Sequence, residues 1–207
     1  MKITYAITVC NEFLEIQRLV NHLLKYKRQQ DNIVILFDEA NGDLEIEMFL
    51  RTHSINGEFN WHKDTFQGHF ANWKNKLTTL CTGDYIFQID ADEMPCTPII
   101  ETLPFLLEQN PDVEVYLVPR VNTVEGMTQD HMQQWGWNVN AEGWVNWPDY
   151  QWRIYKNVPH IKWENKVHEK LTGFAQYAHL PMEENYSLYH PKTIERQIKQ
   201  NNLYDTL

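Results

Sequence analysis

The chain has 207 residues, with 28 acidic against 18 basic side chains and a formal charge of −10. That balance excludes a protein that neutralises nucleic-acid backbones, which needs a basic face, yet admits a nucleotide ligand whose charge a divalent cation offsets. Three scattered cysteines, Cys10, Cys81 and Cys96, exclude a disulfide framework and a thiolate zinc site, and no apolar stretch reaches the length of a membrane span, so a cytoplasmic protein is expected.

Ile3–Val9 (ITYAITV) reads as a buried strand. Phe13, Ile16, Leu19, Val20, Leu23 and Leu24 then recur at helical spacing, with Asn11 placed to cap them. Asn32–Phe37 is a second buried strand and Glu58–His62 a weaker third. Gln67–Cys81 carries Phe70, Trp73, Leu77 and Leu80 on one helical face; Tyr85–Ile89 is a strand, Ile99–Glu108 a helix and Val113–Val118 a strand. Strands alternating with helices imply βαβ units and an α/β fold with a Rossmann-like, mainly parallel sheet. Beyond residue 122 the regularity fails. Thr123–Asn146 reads as a long surface excursion, Tyr150–Lys156 as a strand and Ile161–Leu171 as a strand or bent segment. Pro191–Leu207 reads as a terminal helix beginning at its proline.

Parallel sheets bind ligands beyond the carboxyl ends of their strands. Three such ends carry acids or amides: Asn11-Glu12, Asp38-Glu39, and Asp90-Ala91-Asp92-Glu93. Residues two apart on an extended chain point the same way, so Asp90 and Asp92 can converge, and the small Ala91 between them lets a ligand approach the backbone. Carboxylate oxygens suit Mg²⁺ or Mn²⁺, which keep positions open for phosphate oxygens. A hydrated strand end is the alternative; three polar ends on one rim favour a metal–nucleotide site.

These motifs, in this order, resemble a known family. ITVCNE, LFDEANGD, GHFANWKN and IDADE, over residues 3–95, are similar to glycosyltransferase family 2, whose members bind nucleotide sugars on a GT-A fold. PDYQWRIYKN and WENKVHEKL are similar to the C-terminal part of its small, non-processive members. The resemblance implies one GT-A domain, with residues 1–121 binding the nucleotide sugar and 122–207 forming the acceptor and catalytic half. It implies that Thr8, Cys10, Asn11 and Glu12 wrap the nucleoside, that Asp38 pairs with the base and that Lys74 contacts the nucleotide. Asp90 would then belong to the metal site, holding the ribose or a metal-bound water, and Asp92 would bind the metal itself. Read without the family, Asn11 is a helix cap, Asp38 a turn former before Asn41-Gly42, and Lys74 a solvated charge.

Sugar transfer needs an activated acceptor hydroxyl and a stabilised diphosphate leaving group. Asp149 is the candidate base, because family members carry an acid shortly before the strand that follows; Glu169, Glu142 and Asp130 are alternatives. Arg153 can meet a phosphate or a carboxylate. His168 is the third metal ligand that the resemblance implies, and His190 competes with it. Trp135, Trp137, Trp144, Trp147, Trp152 and Trp163 crowd one region. Aromatic faces stack on pyranose rings and also fill cores; Trp144 and Trp147, just ahead of Asp149, are the leading sugar contacts. The activity implied is inverting transfer of a hexose-type unit from a nucleoside-diphosphate sugar, UDP by default and GDP open, to an acceptor hydroxyl, such as that of a saccharide. A sugar-nucleotide nucleotidyltransferase would want a glycine-rich phosphate loop where VCNEFLEI has none. A two-metal nuclease conflicts with the acidic charge, and a non-catalytic saccharide-binding module leaves the acidic rim unexplained.

Overall fold

The computed structural model describes residues 1–206, with side chains through residue 202. Its first half alternates strand and helix: β1 (Ile3–Val9), α1 (Phe13–Tyr26), β2 (Asn32–Asp38), α2 (Leu44–Ile55), β3 (Asn60–Asp64), α3 (Phe70–Leu80) and β4 (Tyr85–Asp90). A two-residue strand β5 (Met94–Pro95) follows, then α4 (Thr97–Gln109), β6 (Val115–Val118), β7 (Arg120–Glu125) and the short α5 (Gln129–Trp135). The remainder is β8 (Gln151–Lys156), β9 (Lys162–Glu164), β10 (Lys170–Thr172), β11 (Tyr177–His179), β12 (Leu188–Thr193) and α6 (Ile194–Thr206).

The principal sheet has the order β11-β6-β8-β4-β1-β2-β3. All its pairings are parallel except those of β8, which runs against both β4 and β6. The central strands are covered on both sides, so both sets of alternating side chains are apolar. Tyr5, Ile7, Ile33, Ile35 and Phe87 join Ile16, Leu19 and Leu23 of α1 and Ile99 and Leu103 of α4 in one core. Ala6, Val34, Leu36 and Ile86 join Ala71, Trp73 and Leu77 of α3 in the other, which Trp163 and Leu171 of the β9–β10 hairpin complete. Each fully buried aliphatic side chain contributes about 1.5–3 kcal/mol, which is why the weakly amphipathic α3 holds its place.

A second sheet, β5-β12-β7, stands beyond the carboxyl edge of the first. β12 is parallel to β7 and antiparallel to β5, the strand that directly follows the acidic stretch at the end of β4. The sequence did not announce this sheet. Pro191, expected to open the last helix, lies inside β12, opposite Thr123 of β7; the helix begins at Ile194. Pro191 is exposed while Leu188, His190 and Lys192 are buried, the alternation of a strand covered on one face. Leu207, the expected end of that helix, lies outside the described residues. The excursion after residue 122 is partly regular too, with β7 continuing to Glu125 and α5 opening on a Thr128–His131 capping box. Among the described residues no helix is long and apolar enough to cross a membrane.

Gly42 sits where the loop after β2 folds back on the strand end. A Cβ there would lie 2.2 Å from the Phe37 ring and 2.4 Å from the Asp38 carbonyl oxygen. Gly42→Ala is therefore expected to cost about 1–3 kcal/mol by overpacking, read as a lower urea midpoint; an unchanged midpoint would show that the loop does not pack this tightly.

Candidate functional site

The rim is where the polar residues gather. β1, β2, β4 and β6 end there, and because β8 is antiparallel, its start lies there too. Among the predicted site residues, Asp90, Asp92, Asp149 and Arg153 meet on this rim with Glu93, and Arg120, Asn122, His190 and Lys192 reach it from the second sheet.

β4 ends at Asp90, and Ala91 and Asp92 form a turn closed by Glu93 N–H donating to the Asp90 carbonyl at 2.9 Å. Asp90 and Asp92 therefore do not lie on one extended strand, as the sequence suggested, and they meet different partners. Asp90 Oδ2 accepts from Arg153 at 2.8 Å, while its Oδ1 lies 3.4 Å from Lys74 Nζ and accepts from Thr8 Oγ1 at 3.3 Å. Asp92 Oδ2 faces His190 Nε2 at 3.2 Å, Arg196 at 3.6 Å and Lys192 at 3.8 Å. Glu93 is buried, with Oε1 accepting from Arg153 and Arg120 at 2.7 and 3.0 Å and Oε2 from Arg153 Nε at 2.8 Å. Burial alone would raise all three carboxyls, but the facing cations overcome it and hold each below its ordinary value.

A bulge delivers Arg153. Along the β6–β8 pair, Tyr116 opposes Ile154 and Leu117 opposes Trp152, leaving Arg153 without a partner and turned inward. Such an extra residue re-aims a side chain at a sheet's functional end. Arg153 is only 3% exposed and meets carboxylates, the structural side of its two predicted roles.

Lys74, expected at the nucleotide, is also turned inward. It is 2% exposed, its ammonium lies between Glu169 Oε1 at 2.5 Å and Asp90, and it stacks over the Trp163 ring at 4.8 Å. It ties the β9–β10 hairpin to the end of β4. Asp38 is buried and acts as the turn former: Oδ1 accepts from the Ala40 and Phe66 amides at 3.2 and 3.1 Å, and Oδ2 from the Asn41 side chain at 2.9 Å. Asn11 does not cap α1. The cap position is Glu12, whose Oε2 accepts from the Cys10 and Asn11 amides at 2.9 and 3.1 Å; Asn11 itself is exposed. Burial raises the Glu12 carboxyl, and burial beside Glu12 and Asp38 pushes the Cys10 thiol up to about 12.

Asp149 closes the network. Its Oδ2 accepts from Arg120 at 2.7 and 3.0 Å and from Asn122 Nδ2 at 2.6 Å, and its Oδ1 from Gln151 at 2.9 Å. Burial works to raise its carboxyl, but Arg120 and Asn122 prevail and the net shift is downward, so it is ionised at neutral pH. Non-glycine residues with positive φ mark the two loops nearby: Asn146 (52°) and Asp149 (26°) in one, Asn165 (78°) and His168 (52°) in the other. Conformations of this kind concentrate at functional sites. The peptide bond between Trp147 and Pro148 is cis.

It is His190 that faces Asp92, in place of the predicted His168, which is exposed in the β9–β10 turn. His190 Nδ1 lies 2.7 Å from Asn122 Oδ1. Because Asn122 Nδ2 is committed to Asp149, that oxygen is an acceptor, and the hydrogen-bond network assigns the imidazole proton to Nδ1. Burial and Arg120 lower the His190 pKa against the pull of Asp92, which favours the neutral ring. Nε2 lies 3.2 Å from Asp92 Oδ2, so an imidazole nitrogen and a carboxylate oxygen face the same point of the rim. Among the described residues no group of three or more His, Cys, Asp or Glu could hold a metal. Asp92 and His190 could offer an ion two donors, and Mg²⁺-type sites fill their other positions with water and phosphate oxygens.

A concavity lined by Asn11, Asp43, Thr193, Glu195, Arg196 and Lys199 opens between the first loop and α6. Arg196 bridges it to the rim, reaching Glu12, Glu15 and Asp92. The tryptophans divide. Trp163 is core, while Trp135–Trp137 and Trp144–Trp147 form half-buried pairs at 4.7 and 4.8 Å. Arg120, Asn122, Lys192 and Arg196 were not foreseen; the period-two spacing of Arg120 with Asn122 and of His190 with Lys192 was the available signal.

No family model and no curated protein matches the sequence. The fold, however, is shared with solved structures. S. aureus TarS 1-349 is 13% identical with a TM-score of 0.60, over 92% of this chain and 60% of that one. Its complex with UDP-GlcNAc gives 14% and 0.61, over 93% and 59%, and its complex with UDP 13% and 0.59, over 98% and 64%. The chain spans less than two thirds of the length of these TarS structures. The likeness establishes the fold: a mixed α/β architecture on a mainly parallel seven-stranded sheet flanked by helices.

Arg153→Met would leave Glu93 buried with one cation fewer. Breaking a buried pair in this way costs about 3–5 kcal/mol, and chemical denaturation is expected to read a loss of that size; near-native stability would mean that the pair is solvated.

Proposed function

We propose that this protein is a metal-dependent, inverting glycosyltransferase of family 2 type, moving a hexose-type unit from a nucleoside-diphosphate sugar, UDP by default, to an acceptor hydroxyl, such as that of a saccharide. The observation that carries the reading is the meeting of His190 Nε2 and the Asp92 carboxylate at the carboxyl rim, beside a concavity edged by the first loop. The TarS structures of the same fold hold UDP and UDP-GlcNAc, which supports a nucleotide-sugar donor here.

In this reading Thr8–Glu12 and Asp38 frame the nucleoside, with Ala91 where the backbone comes closest to the donor. Asp92 and His190 would hold Mn²⁺ or Mg²⁺, and the ion would supply a positive charge for the departing diphosphate. Asp90, taken up by Arg153 and Lys74, would stand beside the ribose as a rigid neighbour of the ion and leave direct ligation to Asp92 and His190. The residues from 122 onward serve the acceptor, with the Trp144–Trp147 pair as a stacking surface. The acceptor oxygen attacks the anomeric carbon and its proton passes to Asp149, while the carbon–oxygen bond to the diphosphate breaks with its electron pair leaving on the diphosphate. A single displacement inverts the centre. Held ionised by Arg120 and Asn122, Asp149 is ready as an acceptor at neutral pH, though a weak one, so the proton moves late, when the hydroxyl has become acidic.

A panel of nucleotide sugars with Mn²⁺, monitored for release of nucleoside diphosphate, tests this. Asp92→Ala is expected to abolish both metal binding and release. Asp149→Asn should bind donor within about twofold of wild type and lose about 10²–10⁴-fold in turnover. Donor-independent saccharide binding with no nucleotide affinity would replace the enzyme by a binding module.

A further inference from the structure

Asn122 touches both halves of the proposed machinery. Its backbone, on β7, is in register with His190 of β12. Its carbonyl accepts from Val145 N–H at 2.9 Å, at the start of the loop that ends in Asp149. Its side chain repeats the link at closer range, with Nδ2 donating to Asp149 Oδ2 at 2.6 Å and Oδ1 facing His190 Nδ1 at 2.7 Å. A primary amide has one donor end and one acceptor end. A carboxylate takes only the donor, and the acceptor end then dictates which imidazole nitrogen carries the proton.

We infer that Asn122 is a positioning residue that sets the base and the metal-facing histidine with one side chain, aiming the Asp149 carboxylate and engaging His190 Nδ1 so that Nε2 faces Asp92. The inference rests on the roles read above for Asp149 and His190. Arg120 does not duplicate it: Arg120 supplies charge to Asp149 and Glu93, whereas among the described residues it is the amide that joins Asp149 to the imidazole. Partners of this outer kind fix the tautomer of a ligating histidine, and their loss costs about 10–100-fold in metal affinity or activity.

Two substitutions separate the ends of the amide. Asn122→Ala removes both. Asn122→Asp has the same shape and keeps an acceptor toward His190, but sets a second carboxylate against Asp149. Mn²⁺ affinity, read by electron paramagnetic resonance of the free ion without donor, and steady-state release of nucleoside diphosphate are measured on each, with thermal melting as the check on folding. Asn122→Ala is expected to weaken Mn²⁺ about 10–100-fold and to lower kcat. Asn122→Asp is expected to bind Mn²⁺ at least as tightly as wild type, with kcat down at least as far and the donor KM within about threefold.

A merely structural asparagine would make both variants lose both properties together, and that result overturns the inference, as does Asn122→Ala with wild-type Mn²⁺ affinity. If Asn122→Ala does not fold, Asn122→Asp decides alone: retained Mn²⁺ with lost kcat supports the role, and both kept or both lost refutes it. A wild-type protein that binds Mn²⁺ but turns over no nucleotide sugar would sink the proposed function, while the Mn²⁺ arm would still decide the link between Asn122 and His190.

Discussion

Three carboxylates within four residues hold together because a buried guanidinium, Arg153, and a half-buried one, Arg120, lie against them. Glu93 lies beneath the end of β4 with Arg153 bidentate on it and Arg120 at its side. Desolvating so many charges is unfavourable unless every one is matched and hydrogen-bonded. The matching draws residues from far along the chain: Arg153 through the bulge in β8, Arg120 from the start of β7, Lys74 from α3. The second sheet is the means of doing so, since β5 leaves the acidic turn directly and β12 and β7 fold back against it.

That compensation divides the work among the acids. Glu93 is wholly internal and structural, and Asp90 is half-internal, anchored by Arg153 and Lys74. Asp92 is left at the rim with His190, Lys192 and Arg196 gathered on one oxygen. A continuous run of contacts nevertheless joins them all, from Glu169 through Lys74, Asp90, Arg153, Glu93, Arg120, Asp149, Asn122 and His190 to Asp92. A change at one member shifts its neighbours, so effects of paired substitutions along this chain will not add.

The strands with strong apolar runs were legible in the sequence. β1 was read to the residue, β2 and β4 to within one, and β8 to within one, because a strand buried on both faces leaves an uninterrupted signature. α2 was overlooked: Leu44, Met48 and Ile55 are exposed and blur its pattern, with Ile46, Phe49 and Leu50 buried. β12 was misread because Pro191 is as good a helix opener as an edge residue, and only pairing with β7 decides between them. In the site, Asp92 and Asp149 stood out as acids next to strand ends. Lys74, Arg153 and Asp38 were seen too, but which way each points depends on what lies across from it. Lys74 faces Glu169, 95 residues away, and no local pattern carries that information. His190 displaced His168 beside Asp92 for the same reason: its place is set by register with Asn122 across two strands.

Arg153 and Arg120 neutralise the inner acids, and in the proposed function this leaves Asp92 and His190 as the outward pair that would take a divalent ion. Anomalous scattering from crystals grown with Mn²⁺ and UDP measures this directly. The predicted result is one manganese peak bonded to Asp92 and His190 Nε2, with the Glu93–Arg153 pair undisturbed. A peak held by Asp90 or Glu93 with Arg153 displaced, or no peak beside Asp92, would contradict it.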